Sequence, residues 1–201
     1  MRISILTIFN ASFLVIPVIA QVISSGGPKP ISFQKAMIFI DGTNLFYRLE
    51  AYKLTLKTNL PDILSRFLGG RQIVRTYLYT IEEHLNKHKV FHGENITQGI
   101  RIVFGDGIPT KDGNIREKGV DALLVADLVY HAAVKNYDYG LVVSNDTDFV
   151  HAIRRVEDFG CRTGVLGVCS DVPERLRNVC DDTMTLTKDE LISSQYAELR
   201  S

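Results

Sequence analysis

Four aspartates stand where an apolar run gives way to a turn or a helix. Asp41 follows Ala36-Met37-Ile38-Phe39-Ile40 and opens Asp41-Gly42-Thr43-Asn44. Asp146 and Asp148 follow Tyr139-Gly140-Leu141-Val142-Val143, in Ser144-Asn145-Asp146-Thr147-Asp148. Asp121 begins a long apolar stretch just after Lys118-Gly119-Val120. Taken singly, an aspartate after a strand is commonly a helix cap or a turn former. Taken together, they describe a cluster. Carboxylates brought close repel one another and raise each other's pKa unless a cation neutralises them. Mg²⁺ or Mn²⁺ suits such an all-oxygen set, because Mg²⁺ keeps several waters and needs only one or two carboxylates. An ion held there would activate water for displacement at phosphorus. Neither His nor Cys is required.

The elements that must position these acids follow from the alternation of apolar runs and amphipathic stretches. Strands are expected at 36–40, 73–79, 100–104, 139–143 and 162–166. Helices are expected near 43–52, 61–68, 81–91, 120–135, 148–159, 173–180 and 188–198. Short strands that are apolar throughout, separated by helices, predict βαβ units and a parallel sheet covered on both faces. In such sheets ligands bind beyond the carboxyl ends of the strands, where strand order reverses. If the first and fourth of these strands are neighbours, the acids converge on one crevice. The stretch 105–119, rich in Gly, Pro and charge, reads as a long loop; its Lys111, Arg116 and Lys118 are candidates for phosphate contact.

The ordered motifs Phe39-Ile40-Asp41-Gly42-Thr43-Asn44, Lys118-Gly119-Val120-Asp121 leading to Ala126-Asp127-Leu128, Leu141 to Phe149, and Phe159-Gly160-Cys161-Arg162-Thr163-Gly164-Val165 resemble the NYN domain of the PIN-like nuclease superfamily. The closest likeness is to its bacterial branch of small stand-alone proteins, and it spans about residues 36–187. This resemblance implies a PIN-like three-layer α/β/α fold with a mainly parallel five- or six-stranded sheet. It implies a ribonuclease that uses Mg²⁺ or Mn²⁺ on RNA, with Asp41, Asp121, Asp146 and Asp148 as metal-binding catalytic acids. It also implies Asn44 and Ser144 as supporting polar residues. Asn145 stands where relatives often have Gly.

Other features read as structural. Asp127 lies six residues beyond Asp121, off its helix face, and is assigned a structural role. His84, His88 and His92 share one helix face, expected to be solvated, with Lys87 and Lys89 beside them. Cys161, Cys169 and Cys180 are odd in number, spaced like neither a disulfide framework nor a zinc site, and read as small core residues.

The chain has 201 residues with 23 basic and 23 acidic side chains, so it is neutral overall. That balance conceals polarity. Residues 1–42 carry three basic and one acidic side chain, 43–118 twelve and eight, and 119–201 eight and fourteen. The neutral total therefore does not exclude nucleic acid. Residues 1–27 form an apolar segment, read as a signal peptide, a membrane anchor through residues 3–23, or a misassigned start, with a linker at 28–35 and the folded domain at 36–201. An active domain in the cytoplasm is favoured, with anchoring or homo-oligomerisation open, and export the alternative if residues 1–20 are cleaved. The competing function is a non-catalytic RNA-binding or regulatory module on the same fold. A haloacid-dehalogenase-type phosphatase needs a nucleophilic Asp two positions before the Asp of Asp41-Gly42-Thr43, and Phe39 stands there.

Overall fold

The computed structural model describes residues 34–200. The apolar segment 1–27 and the linker up to residue 33 lie outside the described residues.

Strand β1 (Lys35–Asp41) is buried from Ala36 onward, as its unbroken Met, Ile and Phe content demands. Helix α1 (Gly42–Ala51) starts at once, capped by Asp41, whose carboxylate accepts from the Asn44 backbone N–H at 3.0 Å. Gly42 is required by proximity: a Cβ there would stand 2.6 Å from the Tyr79 carbonyl oxygen. There follow β2 (Leu54–Leu56), α2 (Leu60–Ser65), β3 (Gln72–Thr80), α3 (Glu82–His92), β4 (Ile100–Phe104), β5 (Asp106–Pro109), β6 (Ile115–Lys118) and α4 (Val120–Ala133). The chain continues through β7 (Tyr139–Val143), α5 (Val150–Asp158), β8 (Arg162–Val168), α6 (Glu174–Arg177), β9 (Asp182–Leu186), α7 (Lys188–Ser193) and β10 (Ala197–Leu199).

The central sheet has six strands in the order β4-β3-β1-β7-β8-β9, all parallel. Side-chain alternation on β1 divides the core in two. Ile38 and Ile40 face a layer holding Leu45 and Leu49 of α1 and Ile63 and Leu64 of α2. Met37 and Phe39 face Leu124, Leu128 and Ala132 of α4 and Ile153 and Val156 of α5. Each of these side chains larger than alanine contributes about 1.5–3 kcal/mol when removed from water. Helices therefore cover both faces in the expected three-layer α/β/α arrangement. β1 and β7 are neighbours, with Ile40 opposite Val143, and the chain steps outward from β1 in opposite directions, so the strand order reverses between them.

Three expectations are corrected. The stretch 105–119 is not a loop: β5 and β6 form an antiparallel hairpin, with Asp106 opposite Lys118 and Pro109 opposite Ile115. The helix expected at 188–198 ends at Ser193, because Gln195 takes a left-handed φ of 59° that no helix continues through. The chain then turns into β10, antiparallel to β2. The helix expected at 173–180 is confined to Glu174–Arg177, and Asp182–Leu186 adds the sixth sheet strand. Among the described residues, no helix is long and apolar enough to cross a membrane.

Candidate active site

The reversal between β1 and β7 opens a crevice of about 270 Å³ at their carboxyl ends, lined by Asp41, Thr43, Asn44, Tyr47, Glu117, Asp121 and Asp146. Each acid arrives from a different element. Asp41 ends β1, Asp121 sits in the first turn of α4, and Asp146 starts the short 3₁₀ turn Thr147–Phe149 after β7.

Asp41 is the buried centre. Its Oδ2 accepts from the Ser144 hydroxyl at 2.8 Å and its Oδ1 from the Asn44 N–H at 3.0 Å. Burial pushes its carboxyl up to about 6, against those two hydrogen bonds and with the help of Asp121 and Glu117. Ser144 Oγ also accepts from the Asp146 N–H at 3.0 Å, so one hydroxyl joins two acids. Asn44 Oδ1 accepts from the Asn145 N–H at 3.4 Å, closing a link between α1 and the β7 turn. The buried Asn145 amide donates to the Ser170 and Asp171 carbonyls at 3.2 and 2.8 Å, which fastens that turn to the segment after β8. Asn145 therefore has a definite structural use.

Asp121 is held above the usual carboxylate range by partial desolvation, then by the charges of Asp146, Glu117 and Asp148. Asp148 is exposed and does not line the crevice; its backbone N–H donates to Asp146 Oδ1 at 2.8 Å, and its charge is felt at Asp121. Lys111 lies in the hairpin turn, and Arg116 and Lys118 alternate with Glu117 along β6, on the opposite strand face. All three are exposed, away from the crevice lining.

One acid that sequence reasoning passed over belongs to the crevice. Glu117 is half-buried, accepts from the Thr43 hydroxyl and stands 3.6 Å from His84 Nδ1. The signal for it was the Asp112-Gly113 turn, which marks a hairpin, followed by an alternating Ile115-Arg116-Glu117-Lys118 that sets Glu117 apart from its basic neighbours. The histidine face is also corrected. His84 is partly exposed, but His88 and His92 are buried, the former stacked on Phe46 with ring centroids 4.3 Å apart. Desolvation holds both down to about 4, hence neutral. Asp127 accepts from the Tyr79 hydroxyl at 3.0 Å under the sheet, the expected structural role.

The donor set is the kind a divalent ion takes: carboxylates and hydroxyls, with Asp41 and Asp121 held above their ordinary pKa by desolvation and then by neighbouring acids. Among the described residues no three carboxylate, imidazole or thiol groups close around a single point. That spacing fits a largely hydrated ion held by one or two carboxylates, not an all-protein cage.

A family model described as NYN domain matches residues 35–187. No curated protein matches the chain. Among solved structures, it is similar to the crystal structure of VPA0982, a protein of unknown function from Vibrio parahaemolyticus RIMD 2210633. The two share 20% identity over 80% of this chain and 98% of that one, with a TM-score of 0.61, which is a likeness of fold.

Proposed function

Because the chain belongs to the NYN domain family, we propose that it is a metal-dependent ribonuclease that hydrolyses phosphodiester bonds in the crevice between β1 and β7. The family is one of nuclease-like domains with RNA-related function. The observation that carries the finer reading is the meeting of Asp41, Asp121, Asp146 and Glu117 at the one place where strand order reverses.

One or two of Asp41, Asp121 and Asp146 would hold Mg²⁺ or Mn²⁺ directly and the remaining acids, Asp148 included, would act through its waters. The ion, when bound, supplies the positive charge that activates water and stabilises a reacting phosphate. The chain's own residues do the positioning. Ser144 and Asn44 fix the two oxygens of Asp41, and the Ser144 hydroxyl sets the Asp146 backbone at the same time. Glu117, oriented by Thr43 and His84, adds negative charge that draws a cation in. Lys111, Arg116 and Lys118, on the exposed hairpin, would meet phosphates remote from the bond that breaks.

Asp146→Asn tests the assignment. Mg²⁺-dependent cleavage of RNA should disappear while the far-ultraviolet circular dichroism spectrum stays that of the wild type; an unchanged cleavage rate would sink it. The second reading, a non-catalytic RNA-binding or regulatory module, draws on the open spacing of the acids. RNA binding that survives EDTA, with no turnover under single-turnover conditions, would select it. Running RNA and DNA of the same sequence side by side fixes the substrate class.

A further inference from the structure

Next to the acid crevice lies a second pocket, of about 170 Å³. Thr43 and Tyr47 line both, so the two adjoin. Its deep part is aromatic: Phe46 and His88 are buried and stacked nearly parallel, at an interplanar angle of 12°. Tyr47 stands at its mouth with 66% of its surface exposed, an aromatic ring that the fold leaves uncovered. Arg48 places a guanidinium 5.9 Å from the centre of that ring. At the rim, Lys87 Nζ meets the two Glu50 oxygens at 2.9 and 3.2 Å, so donors and acceptors are present with little net charge. His84 completes the wall and is itself directed by Glu117 across the crevice.

Such a pocket does not suit a phosphate, because its one lining lysine is already paired. It suits a flat group with apolar faces and a polar edge, which is the description of a nucleobase. We propose that this pocket seats one base of a single-stranded nucleic acid, stacked on Tyr47, while the adjoining phosphodiester lies in the acid crevice. A base inside a duplex is paired and stacked on its neighbours and cannot enter, so the substrate is single-stranded at this point. The identity of the neighbouring crevice rests on the ribonuclease reading; the base pocket itself rests on the lining just described.

The test uses binding as well as cleavage. In the full chain carrying Asp146→Asn, with Mg²⁺ present, fluorescence anisotropy measures affinity for a labelled single-stranded RNA and for the matching DNA. Adding Tyr47→Ala should weaken binding of the RNA roughly tenfold, and Tyr47→Phe should restore it. An abasic site walked along the strand should reproduce that loss at one position, where Tyr47→Ala then adds nothing. Equal loss on DNA would identify a pocket that reads the base alone; loss on RNA only would add the ribose to what it reads. Affinity unchanged by Tyr47→Ala, or no binding of any single strand, overturns the proposal. The two readings separate cleanly. A wild-type chain that cleaves RNA while Tyr47→Ala binds normally removes the base pocket and leaves the nuclease. Tyr47-dependent binding without any cleavage does the reverse.

Discussion

Ser144 Oγ donates a 2.8 Å hydrogen bond to Asp41 Oδ2, between the ends of adjacent parallel strands and across 103 residues of chain. Because the same oxygen accepts from the Asp146 N–H, this hydroxyl is the joint on which two acids of the crevice turn. Ser144→Ala leaves both partners unsatisfied at a buried position. Stability should fall by about 1–3 kcal/mol, read from urea unfolding with an unchanged m-value, and RNA cleavage should fall with it. A variant as stable as the wild type would show that the joint carries no load.

Asp41 should trade stability for function. Burial raises its pKa from 3.8 to about 6, so the native state binds the proton more tightly than the unfolded chain does. The resulting stabilisation is complete below about pH 4 and is lost as pH rises through 6. Asp41→Asn should therefore be more stable than the wild type at neutral pH in EDTA, by about 1–3 kcal/mol, and no more stable at pH 4. Its melting temperature should also cease to respond to Mg²⁺. Unfolding curves at both pH values, with and without the ion, check each part.

Glu117 raises the pKa of both Asp41 and Asp121. Glu117→Gln keeps an acceptor for the Thr43 hydroxyl but removes the charge. Mg²⁺ affinity by isothermal titration calorimetry should weaken roughly tenfold, while the ion-free protein melts no lower. Unchanged affinity would confine Glu117 to packing.

The two buried histidines act on stability with the opposite sign to Asp41. Their folded pKa values are depressed to about 4 from 6.5, so as pH falls the unfolded chain takes up protons first. Stability is full above about pH 6.5 and declines toward pH 4, with a slope of about 1.4 kcal/mol per pH unit for each histidine. His92 Nδ1 accepts from the Leu56 N–H at 2.9 Å, a bond that Asn at this position can replace with its own oxygen. His92→Asn should roughly halve the acid slope without unfolding the protein. Urea titrations from pH 4.5 to 6.5, run beside Asp41→Asn to separate the opposing contribution, measure it.

What could be read from the chain tracks burial. β1 and β7 are apolar through every layer, so their positions and the aspartates at their ends were visible in the chain, whereas their adjacency stood only as a condition that the sheet order then met. The hairpin β5–β6 was hidden because its residues are mostly exposed and polar, and its short strands carry little periodicity. With it went Glu117, which looked like one more charge in a charged loop. β9 and β10 were missed for a related reason: Thr183 and Glu198 face solvent, and pairing with a neighbour, not hydrophobic content, makes these strands. His88 and His92 were misjudged because lysines on the same helix masked a face that packs against Phe46 and β2.

The order of the sheet also sets a timetable. β1 leaves the ribosome early, yet its partner β7 lies beyond the hairpin and α4, and the hydroxyl that fixes Asp41 arrives 103 residues later. A nascent chain that has emerged only as far as α4 holds Asp41, Glu117 and Asp121 but neither Ser144 nor Asp146. Contacts so distant in sequence close late. Until Ser144 and Asp146 have emerged, the crevice lacks both an acid and the hydroxyl that fixes Asp41.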